Sequence, residues 1–443
     1  MGMLQQTKSM LSEVDAVRES ARRNNEFFGT SLPMIASENI LSPRAQEMLV
    51  TDFHGRYAEG LPGKRYYQGC QFFDEVESRA IDLAKRLFRC NFANVQPTSG
   101  TVSNMAVLKA LVKPGDDITA LSTAAGGHIS HAKMGAVGLR GLKVTEYPWD
   151  LDNMRLDVDG TVKLLRQLKP KLALFGGSVI LFPTPLKGEL ADTCHEVGAH
   201  VMFDAAHVLG LVAGGRFQDP LHEGADVMTG STHKTLPGPQ GGIVLSDHAG
   251  TTEEDAKFLK GLDAGVFPGT NSSYHLHHVA AKAVALAEHI EFGAAYATQI
   301  IKNAKALAAG LVAEGFKVFG EARGYTDSHQ CLVQVGNVGE GKGRWAAELL
   351  EQANIVTNMN LVPGDTKAMN PSGLRLGTQE LTRIGMKEPQ MREIAALYGK
   401  VLLKGVAADK VGHEVRTLRA QFKRVEYCFN EKNLGGYEFH RLT

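Results

Sequence analysis

Residues 171–207, "KLALFGGSVILFPTPLKGELADTCHEVGAHVMFDAAH", read as strand, helix, strand. The first apolar run, 171–180, ends at a glycine pair. "ELADTCHEVGA" has helical spacing, and 200–207 is a second buried strand that stops at Asp204. Working outward, "GADVMTGS" (224–231) and "GGIVLSD" (241–247) are further strands. Strands alternating with helices build βαβ units around a mostly parallel sheet. Such sheets carry their working residues just beyond the carboxyl ends of the strands. A long breaker-poor helix is expected over 274–315. A smaller C-terminal α/β unit follows, with strands at "CLVQVG", "NIVTNMNLV" and "GLRLGT" and helices at "WAAELLEQA" and "MREIAALYGKVLLKG". The division this suggests is an N-terminal helical arm over 1–50, a large domain over 51–305 and a small domain with a helical tail over 306–443.

The bulk numbers exclude several classes of function. Lys+Arg and Asp+Glu are both 48, with no long basic run, so nucleic acid and membrane surface receive no electrostatic support. No apolar run approaches the roughly 20 residues that span a bilayer. The first twenty residues lack the apolar centre of a secretory address. The five cysteines form no C-x-x-C pair, which speaks for a reducing, cytoplasmic setting and against a metal site.

Four features fall at element ends. "QPTSGTVSN" (96–104) places Ser99-Gly100-Thr101 where a loop enters a helix, a position suited to binding phosphate or simply to capping. Asp204 ends a strand, with His207 three residues on; it suits holding a proton on a cofactor's ring nitrogen or capping a turn. His128 follows two glycines in "AAGGHISHA", where it stacks on a flat ligand or is an ordinary loop histidine. "GSTHKTLPGPQGG" (230–242) carries Lys234 after His233; an arbitrary lysine there would be an exposed surface residue. Taken singly, none is specific. In this order they fit a pyridoxal phosphate site: a lysine anchor, an acid on the pyridine nitrogen and a phosphate-binding helix start.

The chain resembles the serine hydroxymethyltransferase family over most of its length. The likeness rests on "PMIASENILSP" (33–43), "RYAEGLPGKRYYQG" (56–69), "GGHISH", "DAAHVLGLVAGG", "STHKTLPGPQGG", "VFPGTNSSYHLHH" and "SGLRLGTQELTRIG", in family order. It implies the aminotransferase-like fold type I of pyridoxal phosphate enzymes, with a seven-stranded, mostly parallel sheet. Lys234 would carry the cofactor, Asp204 pair with its pyridinium, His128 stack on its ring and His207 contact ring or substrate. Ser99, Gly100, Thr101 and His233 would hold the phosphate, with Ser272 from the neighbouring subunit, and Ser178 the phenolic oxygen. Arg375 would grip the substrate carboxylate, assisted by Ser37. Tyr57, Glu59, Tyr66 and Tyr67 would reach in from that neighbour, Glu59 as acid/base. The implied partners are an amino acid, tetrahydrofolate and a second copy, in a homodimer or dimer of dimers with shared sites.

The chain also departs from the family pattern. Pro237 and Gln240 stand where arginines are usual. A Gln-Gly-Gly-Pro step becomes Asn271-Ser272-Ser273-Tyr274. Thr123 replaces a leucine, Val179-Ile180-Leu181-Phe182 replaces Ala-Tyr-x-Arg, and Ile384 replaces an arginine. The core of the lysine chemistry is intact, while the changes lean toward α-methylserine hydroxymethyltransferases or aldolases and threonine transaldolases. A reading of another class, an inactive scaffold on this fold, is opposed by the intact Lys234, Asp204 and Arg375.

Overall fold

The computed structural model describes residues 2–151, 153–335, 341–365 and 370–437, with side chains from residue 10 onward. Helix α1 (Gly2–Thr30) precedes the large domain in the sequence. Its strands are β1 (Phe92–Asn94), β2 (Asp117–Ala120), β3 (Lys143–Glu146), β4 (Leu172–Gly176), β5 (His200–Asp204), β6 (Val227–Ser231) and β7 (Gly242–Ser246). They form one seven-stranded sheet in the order β1-β7-β6-β5-β4-β2-β3. Pairing is parallel except that β7 runs against both β6 and β1. The link from Ser231 to Gly242 contains no helix, so the chain cannot cross over and must return antiparallel.

The near-continuous apolar runs of β4 and β5 follow from burial on both faces. Leu172, Leu174 and Met202 pack into one core with Ala106, Val107 and Leu108 of helix α2 (Gly100–Leu111). Ala173, Phe175, Val201 and Phe203 face the opposite core, with Phe73, Leu286 and Tyr296. Because successive side chains alternate, each strand serves both layers.

The expected long helix is α3 (Leu276–Glu314), 39 residues. Val279, Leu286, Tyr296 and Ile300 belong to the large-domain core. Ala304, Leu307, Ala308 and Leu311 belong to the core of the small domain. The helix therefore crosses the expected 305/306 division without a break, and the change of core falls between Ile300 and Ala304.

The small domain has a four-stranded antiparallel sheet of β8 (Lys317–Val318), β9 (Gln330–Gln334), β10 (Asn358–Asn360) and β11 (Gly373–Gly377), in the order β8-β9-β11-β10. The N-terminal segment differs from the expected arm. After α1, Leu32–Pro33 pairs in parallel with Ile355–Val356, and Leu32, Met34 and Ile40 are buried in the small-domain core. A two-residue strand leaves no periodic pattern, so its partner could not be read from sequence. Ile384, where an arginine was expected, is also a member of this apolar core and lies 2% exposed.

Candidate active site

The carboxyl ends of β4, β5 and β6 and the start of α2 converge on a cavity of about 250 Å³. Ser99, Gly100, Thr101, His128, Asp204, His207, His233 and Lys234 all line it. These were chosen from strand ends and a helix start scattered over 136 residues of sequence, and the fold brings them together. Asn104, Gly177, Ala206, Ser231 and Gln240 complete the wall.

Asp204 is 3% exposed. One oxygen accepts from Asn104 Nδ2 at 2.7 Å and lies 2.9 Å from His131 Nε2; the other accepts from the Ala206 N–H at 2.9 Å. Burial alone would push this carboxyl up. The bonds from His131 and Asn104 outweigh it and hold Asp204 well below the usual carboxylate range. Asn104 is itself oriented by Thr229, whose hydroxyl donates to its Oδ1 at 2.6 Å. Asn104 and His131 were not singled out in the sequence. Their signals are one helical turn beyond Gly100 and three residues beyond His128.

Lys234 is 7% exposed, and burial lowers its amine to about 8, with Asp204 opposing the shift and Arg375 adding to it. Such an amine is about half neutral near pH 8, far more than an ordinary lysine, and so more nucleophilic. Its backbone is fixed from the N-terminal segment, where Asn39 Nδ2 donates to the Lys234 carbonyl at 2.5 Å and to Tyr296 Oη at 2.9 Å. Burial likewise lowers His128 and His233 to about 4 and drives His207 well below its ordinary range, so the three rings are neutral at pH 7.

At the helix start, Ser99 accepts from the Val102 N–H at 3.1 Å and so caps α2. Gly100 and Thr101, whose N–H groups have no acceptor within the helix, line the cavity, an arrangement suited to an anion. A Cβ at Gly100 would collide with Ser231 Oγ. Gly126, at φ 96°, turns the chain so that its carbonyl accepts from the Ser178 N–H at 2.7 Å, behind His128.

Arg375, on β11, is 9% exposed and is lowered by burial to about 10. Its Nη1 donates to the Ser178 carbonyl at 3.0 Å, and its buried Nε has no partner among the described residues. Ser178 therefore meets Arg375 through its backbone, while Gly177 forms the cavity wall. Ser37 lies in an adjoining hollow of about 540 Å³ that shares His233 and Gln240 with the first.

The remaining expected residues form a separate, exposed group. Tyr57, Tyr66 and Tyr67 are 54%, 72% and 44% exposed and do not line the Lys234 cavity. Glu59 accepts from Ser272 Oγ at 2.5 Å. The hairpin beside them, Gly60–Leu61 and Lys64–Arg65, is anchored by buried Arg65, which bonds Asp74, Glu77 and Tyr274 Oη. Tyr274, in place of a proline, also donates to Glu77. The altered Ser-Ser-Tyr step thus grips the loop that carries Glu59.

The site fits pyridoxal phosphate: a buried lysine whose amine is lowered to about 8, an ionised carboxylate at the cavity floor and a helix start for an anion. With the sheet order, this defines a pyridoxal-phosphate enzyme of the aminotransferase-like fold type I. The chain belongs to the serine hydroxymethyltransferase family, whose family model matches residues 11–398. Among its relatives, a serine hydroxymethyltransferase of Methanopyrus kandleri is 50% identical over 435 residues, covering 98% of this chain and 99% of that one. That of Methanocella arvoryzae is 49% identical over 429 residues, covering 96% and 98%. A solved L-threonine transaldolase from Pseudomonas fluorescens superposes with a TM-score of 0.86 at 25% identity, over 97% of this chain and 96% of that one.

Proposed function

We propose that this enzyme moves a hydroxymethyl group between serine and tetrahydrofolate, giving glycine. The observation that carries the reading is the Lys234 cavity, with its lowered amine and ionised Asp204, in a chain about 50% identical to serine hydroxymethyltransferases along nearly its whole length.

When bound, pyridoxal phosphate supplies an electron sink for the pair left on Cα when the Cα–Cβ bond breaks. Lys234 would hold the cofactor covalently, its amine lowered by burial to about 8. Asp204, kept ionised by Asn104 and His131, holds a proton on the pyridine nitrogen. The α2 start binds the phosphate through Ser99, Gly100 and Thr101. Arg375 turns its unpaired Nε–H toward the substrate carboxylate, with Ser37 assisting. Glu59 takes the proton of the serine hydroxyl as the bond to Cβ breaks.

Glu59, Tyr57, Tyr66, Tyr67 and Ser272 serve the site of a neighbouring subunit in a homodimer or dimer of dimers; their place outside their own chain's cavity, and the exposure of the three tyrosines and Ser272, support this. No helix among the described residues is long and apolar enough to cross a membrane, and the proposed setting is the cytoplasm.

Purified protein with pyridoxal phosphate, L-serine and tetrahydrofolate is expected to release glycine. No glycine from serine, with turnover of α-methylserine, threonine or allo-threonine instead, replaces this reading. The alternative, aldol chemistry on another β-hydroxy amino acid, is favoured by the Ser272-Ser273-Tyr274 step and by the likeness to the transaldolase.

A further inference from the structure

Gln330 opens β9 and is fully buried. Its Oε1 accepts from the Ile180 N–H at 2.8 Å, and its Nε2 donates to the Ser178 carbonyl at 2.8 Å. A backbone N–H only donates and a carbonyl only accepts. These two bonds therefore settle which end of the carboxamide is nitrogen, without reference to any histidine. The same Nε2 lies 3.0 Å from His207 Nδ1. With one hydrogen on Ser178, the other is directed at Nδ1, which must accept it. We infer that Gln330 is a positioning residue that holds His207 as the tautomer protonated on Nε2, so that this histidine presents a hydrogen-bond donor, not a base, to the cavity.

The surroundings reinforce the assignment. The ring of His329 stacks on His207, with centroids 5.7 Å apart and planes 19° apart; His329 Nε2 sits 3.1 Å from the Ala36 carbonyl. The His207 carbonyl accepts from Thr235 Oγ1 at 2.8 Å, which fixes its backbone to the Lys234 loop. Burial, Lys234 and Arg375 all oppose a second proton on the ring. The Ser178 carbonyl accepts from both Gln330 and Arg375, so one backbone oxygen sets the positions of His207 and of the carboxylate-binding arginine. A fixed donor beside Lys234 favours ligand oxygens and disfavours proton abstraction at that point.

The tautomer is independent of the proposed function, and only the kinetic arm of the test rests on that reading. In 15N-histidine-labelled full-length holoenzyme, with the His207 resonances identified by their loss in His207→Asn, Nδ1 should be unprotonated and Nε2 protonated. Gln330→Met should give a mixture of tautomers, and Gln330→Glu, whose carboxylate only accepts, should move the proton to Nδ1. Protonated Nδ1 in the wild-type protein, or one unchanged tautomer in all three, overturns the inference. Gln330→Met should also lower kcat about tenfold while KM stays within about twofold. An unchanged kcat removes the positioning role. Wild-type protein that shows the stated tautomer but fails to turn over serine counts against the function alone. Should both variants fail to fold, the wild-type spectrum decides.

Discussion

Among the described residues, two lysines have been stripped of water, and they behave differently. Lys234 stands at the edge of a cavity it shares with Asp204 and the α2 helix start, and burial brings its amine to about 8. Lys282, on α3, is 1% exposed, and burial brings it to about 7. Its Nζ donates to the carbonyls of Val95 and Gly242, each at 2.7 Å, and it faces neither described cavity of the site. Desolvation is thus stronger at the lysine without the chemistry. A lowered amine becomes a reagent only where its nitrogen has room to meet a ligand. Lys282 joins the strand leading to the phosphate-binding turn to the end of the Lys234 loop, and its work is structural.

The comparison breaks most visibly at Lys234. Lys234→Ala should lower turnover by about a thousandfold or more and abolish the visible band of covalently held cofactor, while the far-ultraviolet circular dichroism is preserved. Surviving turnover would mean that the chemistry belongs to another amine. Arg375→Ala tests a second buried cation near the cavity, one whose Nε has no partner among the described residues. KM for the amino acid should rise about 10–100-fold, as expected for a lost charged hydrogen-bond pair, and a normal KM would assign the carboxylate elsewhere.

Lys282→Met leaves two buried carbonyls without donors and should cost about 2–4 kcal/mol of stability, read as a lower urea midpoint, with activity at 25 °C within about threefold. Lost activity at an unchanged midpoint would erase the distinction between the two lysines. The gentlest test is pH. The neutral fraction of an amine at about 8 grows roughly tenfold per pH unit below that value and levels off above it. Capture of pyridoxal phosphate by the apoprotein should follow that curve. A rate still climbing tenfold per unit beyond pH 9 would place Lys234 at the ordinary lysine value.

Much of the inner site was legible in the sequence because its residues sit at element ends that the apolar runs delimit: Asp204 after "VMF", Ser99 before a helix, Lys234 just past "VMTGS". The residues that orient them were not. Asn104 reaches Asp204 across 100 positions, His131 across 73, and Gln330 reaches His207 across 123. A polar pair joined across the fold has no period and no local composition, so nothing in one sequence marks it. The pairing of Leu32–Pro33 was hidden for the same reason. The outer group around Glu59 was legible only through its resemblance to a family; its loop carries no periodic pattern of its own.

That pairing has a consequence during synthesis. Leu32–Pro33 leaves the ribosome more than three hundred residues before Ile355–Val356, the strand it adds to. At about 5–20 residues per second, the wait is roughly 15–65 s. Throughout that time Leu32 and Met34, fully buried in the finished protein, lack their backbone partners Asn354 and Val356. Most of the large-domain sheet can be assembled from strands as they emerge, but this pair closes only once Ile355–Val356 has been made. Leu32–Pro33 is therefore an apolar segment that must wait, unpaired, for its strand.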